Sequence, residues 1–423
     1  MQRNVYDILK ERGFLYQTTD DEALQKILSK KKVTCYIGFD ATANSLHIGS
    51  LVPIMALVHM QQAGHRPIAL LGGGTTMVGD PSGRTEMRQM LTLEKIREFG
   101  EGIKAQFARY ITFESDKALM LNNADWLAPL NYIEFLRDVG VHFSINRMLT
   151  AESVKQRLET GLSFIEFNYM LLQAFDFYVL ARDYDCLIQM GGQDQWGNIV
   201  AGSDLTRRKL GKQVYGMTFP LITASSGEKF GKSAGNAIWL DKERTSAYDL
   251  YQYFRNTDDQ DIENYLGIFT LLPMNEVRTL AMQDVNRAKE ILAFETTKLA
   301  HGKDEAVAAF VASARQFGEA DPDREIKTSS EIKDIKLDDV STLPTVELSK
   351  SDLADGIWIV KLFSDSGLCA SNGEARRLIS QGGASINDEK VTDMDLTVTS
   401  DMLKDGAIVL RAGKKRYMRI TFK

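Results

Sequence analysis

The chain has 423 residues, more than one ordinary core fills, so two or three domains are expected. Hydrophobic residues at 44% and charged residues at 26% are the proportions of a soluble globular protein, and no apolar run approaches the ~20 residues of a membrane span. The net charge of −6 argues against a chain coated in nucleic-acid contacts, yet residues 319–355 carry eleven acidic and five basic side chains while 406–423 carry six basic and none acidic; that basic end is either a local footprint for a phosphate backbone or a solvated surface.

Met1 to Asp7 brings in acid early and has no apolar core of signal-peptide length, so the cytoplasm is the expected compartment. The cysteines Cys35, Cys186 and Cys369 lie far apart and form no Cys-x-x-Cys, which fits a reducing compartment. The five histidines are equally scattered, so no structural metal is expected. Thr34 to Phe39 is β-rich and ends in the turn formers Asp40, Ala41, Thr42 and Asn44. From His47 apolar residues recur at helical spacing to about Gln62, and Pro67 to Leu71 then predicts a buried strand broken by three glycines. Strand, helix and strand in ~40 residues make a βαβ unit with parallel, buried strands. Cys186 to Met190 predicts another such strand, ending in Gly191-Gly192, and a helix-like stretch follows from Asn198.

Residues 33–220 therefore predict a Rossmann-like, doubly wound α/β sheet with a helical insertion over about 115–180, inside a first domain of residues 1–244. Residues 245–318 read as an α-helical domain, and 319–355, with Pro322 and Pro344, as an acidic linker. Residues 356–423 read as a small α+β domain: a basic helix at Glu374 to Ile379, strand and turn at Gly382 to Asp388, and a β-hairpin over 406–422. No internal repeat is visible.

Two segments suggest a shared polyanion site. His47-Ile48-Gly49-Ser50 opens a helix after a strand, where free N–H groups and a positive field attract phosphate, and Gly49 removes a side chain where a flat group must approach. Lys229-Phe230-Gly231-Lys232-Ser233 lies in a polar stretch; its lysines either meet water or close over phosphates. The glycines at 74 and 79 have phosphate-loop separation, but Asp80 stands where a lysine is required, so that motif fails. Asp80 suits a cation such as an amino group, or an Asx-turn. Tyr169, Gln173 and Asp176 share one face of a strongly apolar helix, and the stripe either faces solvent or lines a pocket. Gly191 to Asn198 follows the end of a strand, where ligands collect in open sheets, and Asp194 can accept from ribose hydroxyls.

Jointly and in order, these segments resemble the class I aminoacyl-tRNA synthetases, specifically the bacterial tyrosyl-tRNA synthetase family, over essentially the whole chain. The resemblance implies activation of L-tyrosine by ATP, with Mg²⁺, to tyrosyl-adenylate and pyrophosphate, followed by transfer to tRNA(Tyr). It implies that Tyr36 and Asp176 bind the phenol, that Asp80, Tyr169 and Gln173 accept from the α-ammonium, and that Gln195 lies near the carboxylate. Asp40, Gly49, Gly191 and Asp194 match the adenosine site, and Thr42, His47, Arg84 and Arg88 match pyrophosphate contacts. Lys229, Lys232 and Ser233 match the signature mobile loop.

The first signature usually ends in His where this chain has Ser50, a weaker and uncharged donor, and Ala41 replaces a common proline. The C-terminal domain resembles a small RNA-binding module, which implies that Arg376, Arg377, Lys414, Lys415 and Arg416 meet tRNA. Arg207, Arg208 and Lys209 either guide the acceptor stem or form a solvated face. The family is a homodimer, and residues 135–143, around Leu136 and Val139, are expected either at its interface or in the core. Two alternatives are a tryptophanyl-type or other adenylate-forming transferase, and a non-catalytic RNA-binding relative.

Overall fold

Short apolar runs that end at glycine or aspartate build the middle of the central sheet, because a strand buried on both faces needs no alternation. Its strands are β1 (Gln17–Thr18), β2 (Thr34–Phe39), β3 (Arg66–Leu71), β4 (Leu119–Asn122), β5 (Cys186–Gly192) and β6 (Tyr215–Phe219). They lie in the order β1-β6-β5-β2-β3-β4, parallel throughout except where β1 meets β6. The chain runs outward through β3 and β4 on one side of β2 and through β5 and β6 on the other. The β2–β5 boundary is thus a topological switch point, where a crevice opens at the carboxyl ends of the strands.

This computed structural model describes residues 3–82, 91–159, 161–223, 225, 230–233, 236–335, 345–350, 353, 356–387, 389–404, 406–413 and 416–422. The chain divides into two units, residues 1–302 with 328–330, and residues 303–327 with 331–423.

In the first unit the helix Leu51–Gln62 follows β2 and is apolar almost all round, as its burial from Leu51 to Met60 requires. The helix Tyr169–Asp183 packs along Trp196–Leu210, which follows β5. Residues 119–122 are sheet, which corrects the start of the expected helical insertion: the helical run begins at Ala124. Four half-buried residues at a sheet edge are too few to display a period. Phe135 and Val139 are core, packed with Met148, Met170 and Phe175, whereas Leu136 and Val141 are exposed. Helices Ala247–Arg255, Ile262–Phe269, Met274–Gln283 and Val285–His301 complete the unit, with a two-stranded ribbon of β7 (Lys232–Ser233) and β8 (Asn236–Ala237) before them.

The second unit begins with the helix Lys303–Phe317. Its strands are β9 (Thr345–Leu348), β10 (Ile357–Trp358), β11 (Ala384–Ile386), β12 (Glu389–Lys390), β13 (Thr397–Val398), β14 (Ala407–Ala412) and β15 (Arg416–Phe422). Five of them form a sheet in the order β12-β11-β14-β15-β9, with β9 parallel to β15. Helices Ile359–Asp365 and Asn372–Ser380 share a core with it, built from Val360, Phe363, Ile379, Ile408 and Ile420.

Part of the stretch that reads as linker is therefore ordered. β9 completes this sheet, Arg324 pairs with Glu319 at 2.7 Å, and Asp321 accepts from the backbone N–H groups of Glu325 and Ile326. Charge composition does not register such short-range satisfaction of acids by local donors. No helix among the described residues is long and apolar enough to cross a membrane.

Candidate active site

Two buried carboxylates, Asp80 and Asp176, stand with Asp40 at the carboxyl ends of the central strands. Asp176 is 2% exposed and accepts from Asn123 Nδ2 at 2.9 Å and Trp126 Nε1 at 2.7 Å. Burial pushes its pKa up to about 7, against those two bonds, with the Asp40 charge adding to the rise. Asp80 is pushed up to about 6, first by burial and then by Asp40, while the Ser82 N–H and Gln195 hold it down. Asp40 accepts from Thr75 Oγ1 at 2.9 Å and from Tyr169 Oη at 3.3 Å. Two buried acids, both pushed up further by the Asp40 charge, make a site suited to a cation.

Tyr36 projects from β2 into the same region. Its hydroxyl is buried and has no hydrogen-bond partner among the described residues, and burial, with the Asp176 charge second, holds its pKa well above the usual phenol value. Gln189, in register with Tyr36 on β5, also leaves its Oε1 without a partner among the described residues. Two such groups in one wall call for a ligand that carries its own polar atom.

A hydrogen-bonded chain links the remaining polar residues. Gln195 Nε2 donates to Asp80 at 2.8 Å and to Asp194 at 3.0 Å, and Asn198 Nδ2 donates to Gln195 Oε1 at 3.1 Å and to Gln173 Oε1 at 2.9 Å. Tyr169, Gln173 and Asp176 thus turn inward, Tyr169 and Asp176 fully buried and Gln173 half-buried, so the polar stripe is not a solvent face. Gly72 is indispensable to this wall: a Cβ there would lie 2.3 Å from Asp40 Oδ1 and 3.2 Å from its Cα.

The two signature segments, remote in sequence, touch. The Ile48 N–H donates to the Ile238 carbonyl at 2.9 Å, and the Ile238 N–H donates to the Gly231 carbonyl at 2.9 Å. Gly231 has φ +85°, and a Cβ there would lie 2.7 Å from Ile48 Cγ2. His47 is exposed, and its Nδ1 accepts from the Gly49 N–H at 3.0 Å, which leaves Nε2 to carry the ring proton. Ser50 donates its backbone N–H to the His47 carbonyl, and Thr42 is exposed, with its N–H on the Asp40 carbonyl. Gly191 and Gly192 border Gln195 and Asp194. The backbone of Lys232 and Ser233 forms β7. Arg84, Arg88, Lys229, Lys414 and Lys415 lie outside the described residues.

Arg207 and Arg208 are exposed; the first pairs with Asp204 at 3.3 Å and the second donates to the His142 carbonyl at 2.8 Å. In the second unit Arg376 and Arg377 are exposed, with the Arg376 guanidinium 5.0 Å from the Trp358 ring centre, and Arg416 donates to the Leu368 carbonyl at 2.7 Å. No cluster of three or more His, Cys, Asp or Glu among the described residues is arranged to hold a metal ion.

Sequence reasoning did not single out Asn123, Trp126, Thr75 or Gln189. Asn123 had a signal, since it follows an apolar strand run as Asp40 does after β2.

Residues 28–318 match the family described as tRNA synthetases class I (W and Y), and residues 332–420 match the tyrosine–tRNA ligase SYY-like C-terminal domain. The chain belongs to the class I tRNA synthetases. It is 56% identical to the tyrosine–tRNA ligase of Desulfosudis oleivorans, over 99% of this chain and 98% of that one. It is 52% identical to the tyrosine–tRNA ligase of Clostridium tetani, over 99% of each. A C-terminally truncated mitochondrial tyrosyl-tRNA synthetase from Aspergillus nidulans superposes with a TM-score of 0.67 at 32% identity, covering 75% of this chain and 95% of that one.

Proposed function

We propose that the protein is a tyrosine–tRNA ligase, which activates L-tyrosine with ATP to tyrosyl-adenylate and pyrophosphate and then passes the tyrosyl group to the 3′-terminal adenosine of tRNA(Tyr). One observation carries the choice of amino acid: the Tyr36 hydroxyl without a partner among the described residues, in the same buried pocket as Asp176. A phenol gives the Tyr36 hydroxyl a partner and adds a donor to Asp176, which already accepts from Asn123 and Trp126. Phenylalanine leaves the buried Tyr36 hydroxyl without that partner, the kind of penalty that rejects an analogue without editing. Tryptophan is excluded by size and by the same polar end.

In this reading the α-ammonium is held by Asp80, Tyr169 and Gln173, and Gln195 lies near the carboxylate. The burial of Asp80 and Asp176 and the Asp40 charge acting on both support a cation there. Asp40, Gly49, Gly191 and Asp194 border the adenosine. Thr42, His47, Ser50, Arg84 and Arg88 meet the departing pyrophosphate, and Lys229, Lys232 and Ser233 close over the phosphates. Mg²⁺ enters on those phosphates as part of the nucleotide substrate.

The tyrosine carboxylate attacks the α-phosphorus in line, and pyrophosphate leaves. A carboxylate is already a nucleophile, so the work is positioning and stabilisation of charge on phosphate oxygens. His47 Nε2–H is a donor for that charge, supported by the Gly49 bond that fixes the tautomer.

Arg207 and Arg208 face the acceptor stem, and Arg376, Arg377, Lys414, Lys415 and Arg416 face the tRNA backbone in an RNA-binding domain of residues 356–423. The assembly is a cytoplasmic homodimer. Exposed Tyr132, Ile133, Val141, Ile145 and Phe164 support an interface on the insertion, and three buried thiols fit a reducing compartment.

Amino-acid-dependent exchange of pyrophosphate into ATP tests the proposal. Dependence on tyrosine is expected. Dependence on tryptophan refutes it in favour of a tryptophanyl-type enzyme, and no exchange refutes it in favour of a non-catalytic RNA-binding relative.

A further inference from the structure

Phe230, at the centre of the second signature, is half-buried among aromatic rings. Its ring centre lies 5.4 Å from that of Phe269 with the planes 1° apart, 5.4 Å from Tyr265 at 76°, and 6.1 Å from Tyr253 at 71°. Those rings come from the helices Ala247–Arg255 and Ile262–Phe269 and brace one another, with Tyr265 5.5 Å from Phe269 and Phe254 bridging Tyr253 and Phe269. Offset and edge-on ring pairs at these distances attract beyond the area they bury.

Hydrogen bonds tie the same strip of chain to the same support. The Gly231 N–H donates to Tyr253 Oη at 2.9 Å, and Ser225 donates its N–H and Oγ to Asp261 Oδ2 at 2.9 and 2.8 Å. Through Ile238 the other side of Gly231 is bonded to Ile48 of the first signature. The helix Ile262–Phe269 also packs against Leu51–Gln62, the helix that the first signature opens. The aromatic seat and the helix tip therefore rest on one support, with Phe230-Gly231 between them.

We propose that Phe230 anchors the second signature, and that Tyr253, Tyr265 and Phe269 are positioning residues for the activation step. Seating Phe230 fixes where the backbone enters Lys232 relative to Ile48 of the first signature. The kinetic part of this inference rests on the ligase reading; the seat itself does not.

Three variants of the full chain test it: Phe230→Ala, Phe230→Leu and Tyr253→Phe. The first measurement is the rate of limited tryptic cleavage after Lys232, followed by mass spectrometry. The second is kcat and KM in tyrosine-dependent pyrophosphate exchange. Phe230→Ala is expected to speed cleavage after Lys232 about tenfold or more and to lower kcat about 10- to 100-fold, with KM for tyrosine unchanged. Tyr253→Phe keeps its ring and loses only the acceptor for Gly231, so both effects are about 2- to 10-fold. Phe230→Leu refills part of the seat and falls between wild type and Phe230→Ala.

Wild-type cleavage at Lys232 in Phe230→Ala overturns the seat. Wild-type kcat in that variant, or a loss confined to KM for tyrosine, overturns the positioning role. If the wild-type protein shows no tyrosine-dependent exchange, the ligase reading and the kinetic role fail together, and the cleavage rates still decide the seat.

Discussion

Replacing Tyr36 with phenylalanine separates a binding role from a structural one, because the two predict opposite signs. The Tyr36 hydroxyl is buried and has no partner among the described residues, a condition that costs about 1–3 kcal/mol. Tyr36→Phe removes that hydroxyl and keeps the ring, including its contact with Phe177 at 5.4 Å between centres. The empty protein is therefore expected to keep or raise its stability, by up to about that amount. In the substrate complex the same change deletes one neutral hydrogen bond to the phenol, about 0.5–1.5 kcal/mol, which lowers kcat/KM for tyrosine about 2- to 13-fold. Activity toward phenylalanine is unchanged or rises, since a group that phenylalanine leaves unpaired has gone. Urea unfolding of the unliganded chain and pyrophosphate exchange with each amino acid read the two effects. A variant that is less stable when empty, with kcat/KM for tyrosine unaltered, would refute the assignment of Tyr36 to the phenol.

Asp176→Ala strips Trp126 Nε1 of its acceptor and removes a charged partner of the phenol. A loss of about 10- to 150-fold in kcat/KM for tyrosine is expected, together with most of the preference over phenylalanine; equal losses for both amino acids count against a phenol contact. Asp80 and Asp176 have native pKa values of about 6 and 7, above their unfolded values, so between about pH 4 and 7 the native state holds protons that the unfolded state has lost. The unliganded protein should lose stability as pH rises through that window. Binding of tyrosine, whose ammonium favours the ionised acids, should release protons near pH 6.5 and release few above pH 8. Calorimetry in buffers of different ionisation enthalpy measures this, and proton uptake at pH 6.5 contradicts it. Lys232→Ala should slow adenylate formation in rapid-quench experiments while leaving KM for tyrosine unchanged; an unchanged activation rate removes Lys232 from the chemistry.

The strands β2, β3 and β5 are legible in the residues because a strand buried on both faces must be continuously apolar, and each ends in a turn former that local chemistry reveals. β4 and β9 are not, since four residues that owe their order to a neighbouring strand carry no period of their own. Helical spacing puts Tyr169, Gln173 and Asp176 on one face, but periodicity says only which residues share a face and not what that face meets. The sheet and the insertion decide that by bringing Asn123 and Trp126 to Asp176. The contact of Gly231 with Ile48, the seat of Phe230 and the burial of the Tyr36 hydroxyl away from any partner among the described residues are likewise decided by tertiary structure. Local sequence encodes residue types and spacing; distances between residues far apart in the chain exist only once the packed core sets them.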